Sequence, residues 1–251
     1  MIIAINAVKE KIRRKELYVV TAIGLLILLG FSTGVGTISI GGVEITDYEN
    51  LVPVLITVVN VICGALAIVL SLRTIPNEYE RKTSHLIWIR GISQFRYHGE
   101  LTLANAIISL FSEGILYLGV LIFMFMKGKG NEGWKLLPAF FIVAVSILLV
   151  SVFTSLLSVR LPSMAAGVIA TICYLVGILH RILEVLEGML SGFVSVLLKG
   201  VLWLIPDLHG IQSQASHFLT GETVDIHVIL KGLLVIYLLT VCLYFLKKKE
   251  A

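Results

Sequence analysis

Long apolar runs dominate this sequence and limit what it can fold into. About 20 apolar residues are enough for a helix to cross the hydrocarbon of a bilayer, and six stretches approach or exceed that length. The predicted spans are 17–38, 51–72, 101–126, 136–159, 164–179 and 228–246. Only short connections separate most of them, so we expect an all-α integral membrane protein with a single transmembrane domain over residues 1–251.

The overall composition agrees with a membrane location. Hydrophobic residues make up 57% of the chain and charged residues 14%, against about 25% charged residues in soluble globular domains. No basic patch with interleaved aromatic residues is present, so nucleic acid is not an expected partner. Cys63, Cys173 and Cys242 fall in three different predicted spans, which argues against a disulfide framework.

The first 16 residues combine a basic side with an apolar side. Ile5, Val8 and Ile12 recur at helical spacing among five Lys and Arg residues. This pattern is typical of an amphipathic helix that lies along a membrane surface, so we expect an interfacial elbow helix over 1–16. The apolar run that follows is too long for the core of a secretory signal, and we expect it to remain as a span.

The distribution of Lys and Arg predicts the orientation. Fourteen of the 20 Lys and Arg residues fall on the side of the N-terminus and six on the other. Basic residues are enriched on the cytoplasmic side of membrane proteins. We therefore expect a multi-pass protein of the cell (plasma) membrane with both termini in the cytoplasm.

The longest polar interruption, residues 73–100, would lie in the cytoplasm. Thr74 and Pro76 are typical helix-start residues, Gly91 is a stop signal, and Ser93 can cap the next helix. The stretch is therefore predicted to be a helical hairpin between spans two and three.

The first helix of this hairpin presents one continuous face. The residues that recur there at helical spacing are Tyr79, Thr83, Leu86, Ile87 and Arg90. Glu78 can pair with Lys82 one turn later. A partly apolar helix face outside the membrane predicts a docking surface for a soluble partner.

The region 180–226 is predicted to form an outer lid between spans five and six. Within it, Met189–Ile205 is apolar enough to suggest a seventh span, although Lys199 interrupts it. A seventh crossing would place the basic C-terminal residues outside. We therefore expect a re-entrant or interfacial segment, which is tolerated where protein covers its backbone.

Glu113 is the carboxylate that lies well inside a predicted span. An ionisable group at that depth is a candidate functional site. The alternative interpretation is a protonated or paired side chain in the bundle, packed against Asn105, Ser109 or Ser112. The sequence leaves both interpretations open.

A second set of polar residues has the spacing of metal ligands. His180, Glu184 and Glu187 share one helical face, but an interfacial helix with its polar side in water accounts for the same pattern. We favour that interpretation and predict no metal site. The sequence also lacks the His-Glu-x-x-His, Gly-x-Ser-x-Gly and phosphate-loop motifs, so we do not expect an enzyme.

Small residues are frequent in the first two predicted spans. Gly24 and Gly30 lie in the first, and Gly64, Ala65 and Ala67 in the second. Small residues let membrane helices approach closely. We expect them to serve packing within the chain rather than a dimer seam.

Taken together, the elbow helix, six spans, cytoplasmic hairpin and outer re-entrant segment resemble the membrane subunit of a type 2 ABC exporter. The residues that carry the resemblance are Glu78-Tyr79-x-x-x-Thr83, then Leu86 and Gly91-Ile92-Ser93. The topology covers the whole chain, and the motif covers the hairpin.

The resemblance implies that residues 76–90 are a coupling helix seated in a groove of a separate ATPase, with Glu78 and Thr83 the best matched positions. ATP and Mg²⁺ would then bind the ATPase, and this chain would carry no cofactor. A second copy, or a homologous permease, would complete the translocation path. The outer gate implied by the resemblance consists of Met189, Phe193 and Trp203.

In size and in its lack of an outer domain, the chain is similar to small bacterial permeases that export amphipathic peptides such as bacteriocins and phenol-soluble modulins. This similarity implies a peptide substrate. Two alternatives stay open: a secondary transporter or channel that uses Glu113, and an intramembrane metalloenzyme built on His180, Glu184 and Glu187.

Overall fold

We describe a computed structural model that covers residues 2–13, 18–19, 21–22, 24–26, 30, 38–40, 43–45, 48–81 and 91–246. Its helices, in chain order, are α1 (Ile2–Arg13), α2 (Tyr48–Leu72), α3 (Thr74–Glu80), α4 (Gln94–Met126), α5 (Leu136–Arg160), α6 (Ser163–Ile178), α7 (His180–Met189), α8 (Phe193–Leu204), α9 (Leu208–Thr220) and α10 (Ile226–Phe245). A 3-10 turn at Gly130–Lys135 precedes α5.

A short antiparallel pair interrupts the helical pattern near the N-terminal third of the chain. Strand β1 (Ile38–Ile40) pairs with β2 (Val43–Ile45), with Ile38 opposite Ile45. Most of the predicted first span, 17–38, lies outside the described residues. The last residue of that predicted span, Ile38, belongs to β1 rather than to a helix. The predicted span therefore extends one residue into the strand.

Four stretches of the described chain are long and apolar enough to cross a membrane. They are α2 with α3, α4, the 3-10 turn with α5, and α10. The pairs α6–α7 and α8–α9 are bent by 71° and 61°, and counting each pair as one span gives up to six. Several long apolar helices thus fit a membrane-embedded protein, and the predicted second, third, fourth and sixth spans coincide with single helices.

The predicted fifth span, 164–179, is a helix that is too short to cross on its own. The 16 residues of α6 rise about 24 Å at about 1.5 Å per residue, against a hydrocarbon thickness of about 30 Å. The chain then bends at Leu179 into α7. The apolar stretch 189–205 is likewise a 12-residue helix, α8, that leads into a bend.

Helix α5 occupies the centre of the bundle and packs against α2, α4, α9 and α10. Its buried side chains include apolar residues and several small hydroxyl residues. The latter are Ser146, Ser151, Thr154, Ser155 and Ser158. Small side chains allow neighbouring helices to approach closely in a medium without a hydrophobic drive for association.

The predicted start of α4 is confirmed in detail. Gly91 has a positive φ of 72°, which is favourable for a residue without a Cβ atom. The Ser93 hydroxyl then accepts a hydrogen bond from the Arg96 amide at 3.4 Å, and α4 begins at Gln94. These features explain why α4 begins at this point.

The predicted start of the coupling helix needs correction. The helix begins at Thr74 rather than at Pro76, and it continues from α2 through Arg73, whose backbone is right-handed (φ −95°, ψ −5°). The Thr74 side chain does not cap the helix, because its hydroxyl lies 2.9 Å from the Leu70 carbonyl oxygen and 2.8 Å from Asn105 Oδ1. The short helix is therefore an extension of a long one.

Helix α1 covers Ile2–Arg13 of the predicted elbow helix, 1–16, and packs against α4 along one side. Ala4 and Lys11 are buried, and Val8 packs against the rest of the bundle, whereas Ile5 and Ile12 are exposed. The Lys11 ammonium donates a hydrogen bond to the Leu70 carbonyl, near the C-terminal end of α2. Lys11, one of the basic residues of this helix, thus binds inside the bundle.

Candidate functional site

The root of α3 is buried where several helices meet. Ile75 is fully buried and belongs to an apolar cluster with Tyr97, Leu101, Val159 and Leu243, which we call the root cluster. These residues come from α4, α5 and α10. Because α3 contacts α2, α4 and α5, a displacement of α3 would press on these three helices.

Two tyrosines connect the second half of α3 to the first turn of α4. The Tyr97 hydroxyl donates to Glu78 Oε2 at 2.8 Å. The Tyr79 hydroxyl lies 2.8 Å from His98 Nε2, with the direction of the hydrogen bond set by the histidine tautomer. Glu78 and Tyr79, two of the residues expected to couple to an ATPase, therefore both bind within the chain.

A buried set of polar side chains joins α3 to α5 through α4. Thr74 lies against Asn105 Oδ1, and the Asn105 side-chain amide donates to Ser155 Oγ at 2.8 Å. One turn away, Ser71 and Ser151 pair at 2.9 Å. Asn105 is fully buried, so both ends of its amide are satisfied inside the bundle, as buried polar groups require.

Helix α1 is attached to the same junction by charged groups. Glu100 Oε2 accepts hydrogen bonds from the Ile3 and Ala4 amides at 3.1 and 3.2 Å, which satisfies orphan donors at a helix N-terminus. At the other end of α1, Glu10 forms an ion pair of 3.0 Å with Arg81, the residue that ends α3. Helices α1, α3 and α4 are thereby linked at two points.

The remaining residues of the predicted docking face are Thr83, Leu86, Ile87 and Arg90. They lie outside the described residues, as does Lys82, the predicted partner of Glu78. Glu80 and Arg81 are exposed at the end of the described part of α3. The side of α3 open to a partner is thus its tip, and its root is inside the bundle.

Glu113 lies on α4 in the middle of the bundle and is fully buried. Neither carboxylate oxygen has a hydrogen-bond partner among the described residues. Of the neighbours suggested by the sequence, Asn105 bonds Thr74 and Ser155, and the Ser112 hydroxyl donates to the Ile108 carbonyl. The interpretation of a carboxyl group paired with those side chains does not agree with this geometry.

A polar layer surrounds Glu113. Cys63 on α2 and Tyr117 on α4 are close enough to interact with it electrostatically. The Tyr117 hydroxyl donates to Asn60 Oδ1 at 3.2 Å, and the Tyr174 hydroxyl of α6 lies 3.2 Å from the Asn60 carbonyl oxygen. The layer therefore connects α2, α4 and α6 at one depth.

Sequence reasoning missed most of this layer. Asn60 and Tyr174 are polar groups inside predicted spans, and that was the available signal, since such groups usually face a bundle interior. Gln212 was missed as well, and its side-chain amide lies 3.4 Å from Ser146 Oγ. Which of these side chains share one depth depends on how the helices are staggered, and one sequence does not contain that information.

The three residues of the predicted outer gate are strongly exposed. Met189, at the end of α7, is 77% exposed, and Phe193 and Trp203 on α8 are 79% and 87% exposed. Gly192, between these helices, has a positive φ of 76° and allows the sharp turn. These side chains project from the described chain, and their predicted role as a gate stays a prediction.

The suggested metal ligands do not form a cluster. His180 Nε2 lies 3.5 Å from Glu184 Oε1, but Glu187 Oε1 accepts a hydrogen bond of 2.7 Å from Ser195 instead. Among residues that the structure describes, no group of three or more His, Cys, Asp or Glu side chains is arranged to hold a metal ion. The arrangement suits a helix with a polar side.

An apolar groove runs between α2 and α6 with a charged residue at one end. Its lining is mainly aliphatic, with Ile68, Leu72, Val168 and Ile172 among the contributors, and Arg73 lies at the end where α2 passes into α3. The groove thus combines an apolar wall with one cationic group next to the α3 root.

Comparison with protein-family models and with curated proteins found no match to this chain. The functional conclusion must therefore depend on the sequence pattern and the geometry described above.

Proposed function

We propose that this chain is the transmembrane subunit of an ATP-driven exporter of the type 2 ABC class, in which α3 begins the coupling helix. The observation that carries the proposal is the buried root of α3, where Ile75 belongs to one apolar cluster with side chains of α4, α5 and α10. A helix that only covered the surface would not need such a root. A helix that transmits force to the bundle would need one.

The polar contacts of α3 support the same role. Glu78 and Tyr79 bond side chains of α4, and Thr74 is joined through Asn105 to α5. Packed elements of this kind shift as rigid units between a small number of arrangements. A push on the α3 tip is therefore passed to the first turn of α4 and to α5 together.

In the proposal, energy comes from a separate ATPase subunit that binds ATP and Mg²⁺. The sequence of this chain has no phosphate-binding loop. Closure of an ATPase dimer would displace the coupling helices, and the two arrangements of the bundle would differ in their affinity for cargo. The termini would lie in the cytoplasm and the bent α6–α9 region outside, as the charge distribution predicts.

A second copy, or a homologous permease, would complete the path. Helix α10 is suited to such a contact, because only 11% of its most apolar segment of 18 residues is buried within the chain. Its exposed large residues include Leu230, Leu234, Tyr237 and Leu238. The same face would otherwise contact lipid, so the proposal predicts a dimer whose seam includes α10.

The proposed cargo is an amphipathic peptide. The groove between α2 and α6 offers an apolar wall and the Arg73 guanidinium at one end. Such a surface suits a molecule with an apolar side and a polar or anionic end. Its position next to the α3 root would couple cargo binding to movement of α3.

Co-expression with an ABC ATPase subunit encoded beside this chain tests the proposal. We expect the two to co-purify and ATP hydrolysis to fall to the level of the ATPase alone when the exposed tip is changed by Glu80→Arg. Glu222→Arg, an equally exposed change distant from α3 in sequence, is the control and should leave coupling intact.

Membrane insertion should be normal in both variants, because neither residue is buried. Unchanged coupling in Glu80→Arg would count against docking at this tip. Labelling of residue 80 from the external side would overturn the proposal itself.

A secondary transporter or channel is the second candidate, and the buried carboxyl group of Glu113 is the observation that favours it. It predicts cargo movement that follows an ion gradient in vesicles without ATP and is lost in Glu113→Gln. The ABC proposal predicts no movement in those vesicles until the ATPase and ATP are present.

A further inference from the structure

One face of α4 carries a continuous buried line of polar side chains, which we call the α4 stripe. Its members follow one another by three or four residues, the spacing of a single helical face. They are His98, Thr102, Asn105, Ser109, Glu113 and Tyr117. An apolar stripe would be expected at these positions in a helix packed only for stability.

Three members of the stripe have buried oxygen atoms without a hydrogen-bond partner in the described chain. They are Thr102 Oγ1, Ser109 Oγ and both carboxylate oxygens of Glu113. Leaving such groups unsatisfied away from water has a cost, so their presence on one face points to a ligand that they contact. A carboxyl group flanked by hydroxyl groups suits a proton or a small cation.

The charged groups on the neighbouring helices do not neutralise Glu113. On α2 the titratable neighbour is Cys63, and on α4 it is Tyr117. On α1, the Lys11 ammonium is bonded to the Leu70 carbonyl. On α10, Lys231 is exposed.

The other elements packed around Glu113 are equally poor in cations. The charged residue of α5 is Arg160, at its last position. The segment that holds Gly24 approaches Leu116, and the sequence from 17 to 38 contains no charged residue. An ionised carboxylate at Glu113 would therefore be an unpaired buried charge in the packed bundle, which is strongly unfavourable.

We propose that Glu113 is a proton-binding site in the centre of the bundle, reached along the α4 stripe from the end of α4 that carries His98. In the packed arrangement Glu113 holds the proton. Release requires the helices to part, so that water or a polar group can solvate the carboxylate. The site goes beyond the proposed function, because it belongs to this chain alone and needs no ATPase.

The stripe is suited to carry the proton. A hydroxyl group can donate and accept at the same time, and side chains four residues apart have Cβ atoms about 5–6 Å apart. One water molecule with two hydrogen bonds of about 2.8 Å spans that distance. Ser109 thus stands one turn from Glu113, and Thr102 stands one turn from His98 of the Tyr79–His98 pair, with Asn105 between Thr102 and Ser109.

The chemistry is a simple proton transfer. A hydronium ion or buffer acid at the His98 end gives up its proton, and water or the buffer base remains there. The carboxylate oxygen of Glu113 gains the proton and becomes a neutral carboxyl group. No other bond changes.

Infrared difference spectroscopy of the purified full chain in lipid nanodiscs tests the site. We expect the carbonyl band of a protonated carboxyl group at neutral pH in the unmodified chain, with a shift in heavy water. The band should be absent in Glu113→Gln, whose amide mimics the neutral acid. It should move to a new frequency in Glu113→Asp and persist in Glu184→Gln, a change at an exposed carboxylate.

A spectrum at neutral pH without such a band, or a band that survives Glu113→Gln, would overturn the proposal. Loss of the band on adding sodium at constant pH would also overturn it, because the site would then hold a metal cation. None of these spectra depends on an ATPase. The proton-site proposal can therefore be refuted while the exporter proposal stands, and the exporter proposal can be refuted while the proton-site proposal stands.

The route is tested by the rate at which the band shifts after a jump into heavy water. Ser109→Val should slow the exchange about tenfold, the factor for about 1.4 kcal/mol in a barrier. Ser112→Val is the matched control, because the Ser112 hydroxyl already bonds the Ile108 carbonyl. Equal rates in the two variants would overturn the route.

Discussion

Removing the Asn105 side chain should break the polar link that joins α3 and α4 to α5. The Asn105 amide bonds Thr74 and Ser155 at 2.8 Å each and is fully buried. In Asn105→Ala, the Thr74 hydroxyl keeps the Leu70 carbonyl as a partner, but the Ser155 hydroxyl loses its hydrogen bond to α4. The expected result is a less stable bundle in which α5 loses its polar link to the α3 root.

The size of the effect follows from the number of bonds lost. Side-chain hydrogen bonds between membrane helices are worth about 0.6 kcal/mol on average and up to about 1.7 kcal/mol. Two such bonds give about 1–3 kcal/mol, and truncation of a buried side chain adds to this through the space it leaves. We therefore expect the free energy of unfolding to fall by about 1–3 kcal/mol or slightly more.

Reversible unfolding of the purified chain in bicelles measures this change. Leu103→Ala is the control, since Leu103 lies on α4 two residues away but faces outward, and it should cost well under 1 kcal/mol. A double-mutant cycle between Asn105→Ala and Ser155→Ala should give a coupling of about 0.6 kcal/mol or more. Equal stability of Asn105→Ala and Leu103→Ala, with no coupling, would refute the polar link.

Three further changes test the packing. Gly64→Ala should destabilise the chain by about 1–3 kcal/mol, because the added Cβ atom would collide with the Tyr174 ring, and thermal unfolding in detergent measures it. Arg81→Ala breaks an exposed ion pair with Glu10 and should change stability by less than about 1 kcal/mol, an effect that high salt abolishes. Lys11→Met leaves the last turn of α2 without its ammonium donor and should accelerate hydrogen exchange there.

The sequence predicted the helical elements well because hydrophobic length is a local property. The predicted spans 51–72, 101–126, 136–159 and 228–246 each lie within or almost within a helix of the structure. The start of a helix was also predictable where the side chain of a single residue caps it, as Ser93 caps α4. The bend at Leu179 also coincides with the predicted end of the fifth span, although no proline or glycine stands at that position.

The polar interior was predictable only in part. Glu113 stood out because a carboxylate in a span is rare. The layer that includes Asn60 and Tyr174 depends on how three helices are staggered. Stagger follows from side-chain packing over the whole bundle, and periodicity within one helix does not determine it.

The bonds of Glu78 change what its match to the exporter motif implies. The sequence resemblance suggests that Glu78 contacts an ATPase, whereas in the structure its carboxylate accepts a hydrogen bond from Tyr97. If Glu78 anchors the helix, Glu78→Gln should keep most of the ATPase stimulation, because an amide oxygen still accepts the hydrogen bond from Tyr97. Glu78→Ala and Tyr97→Phe should then lose that stimulation to a similar extent. If Glu78 contacts the ATPase instead, Tyr97→Phe should leave ATPase stimulation unchanged, and both Glu78 variants should lose it. ATPase stimulation measured in these three variants separates the roles, and Glu80 at the exposed tip then becomes the better candidate for contact with the partner.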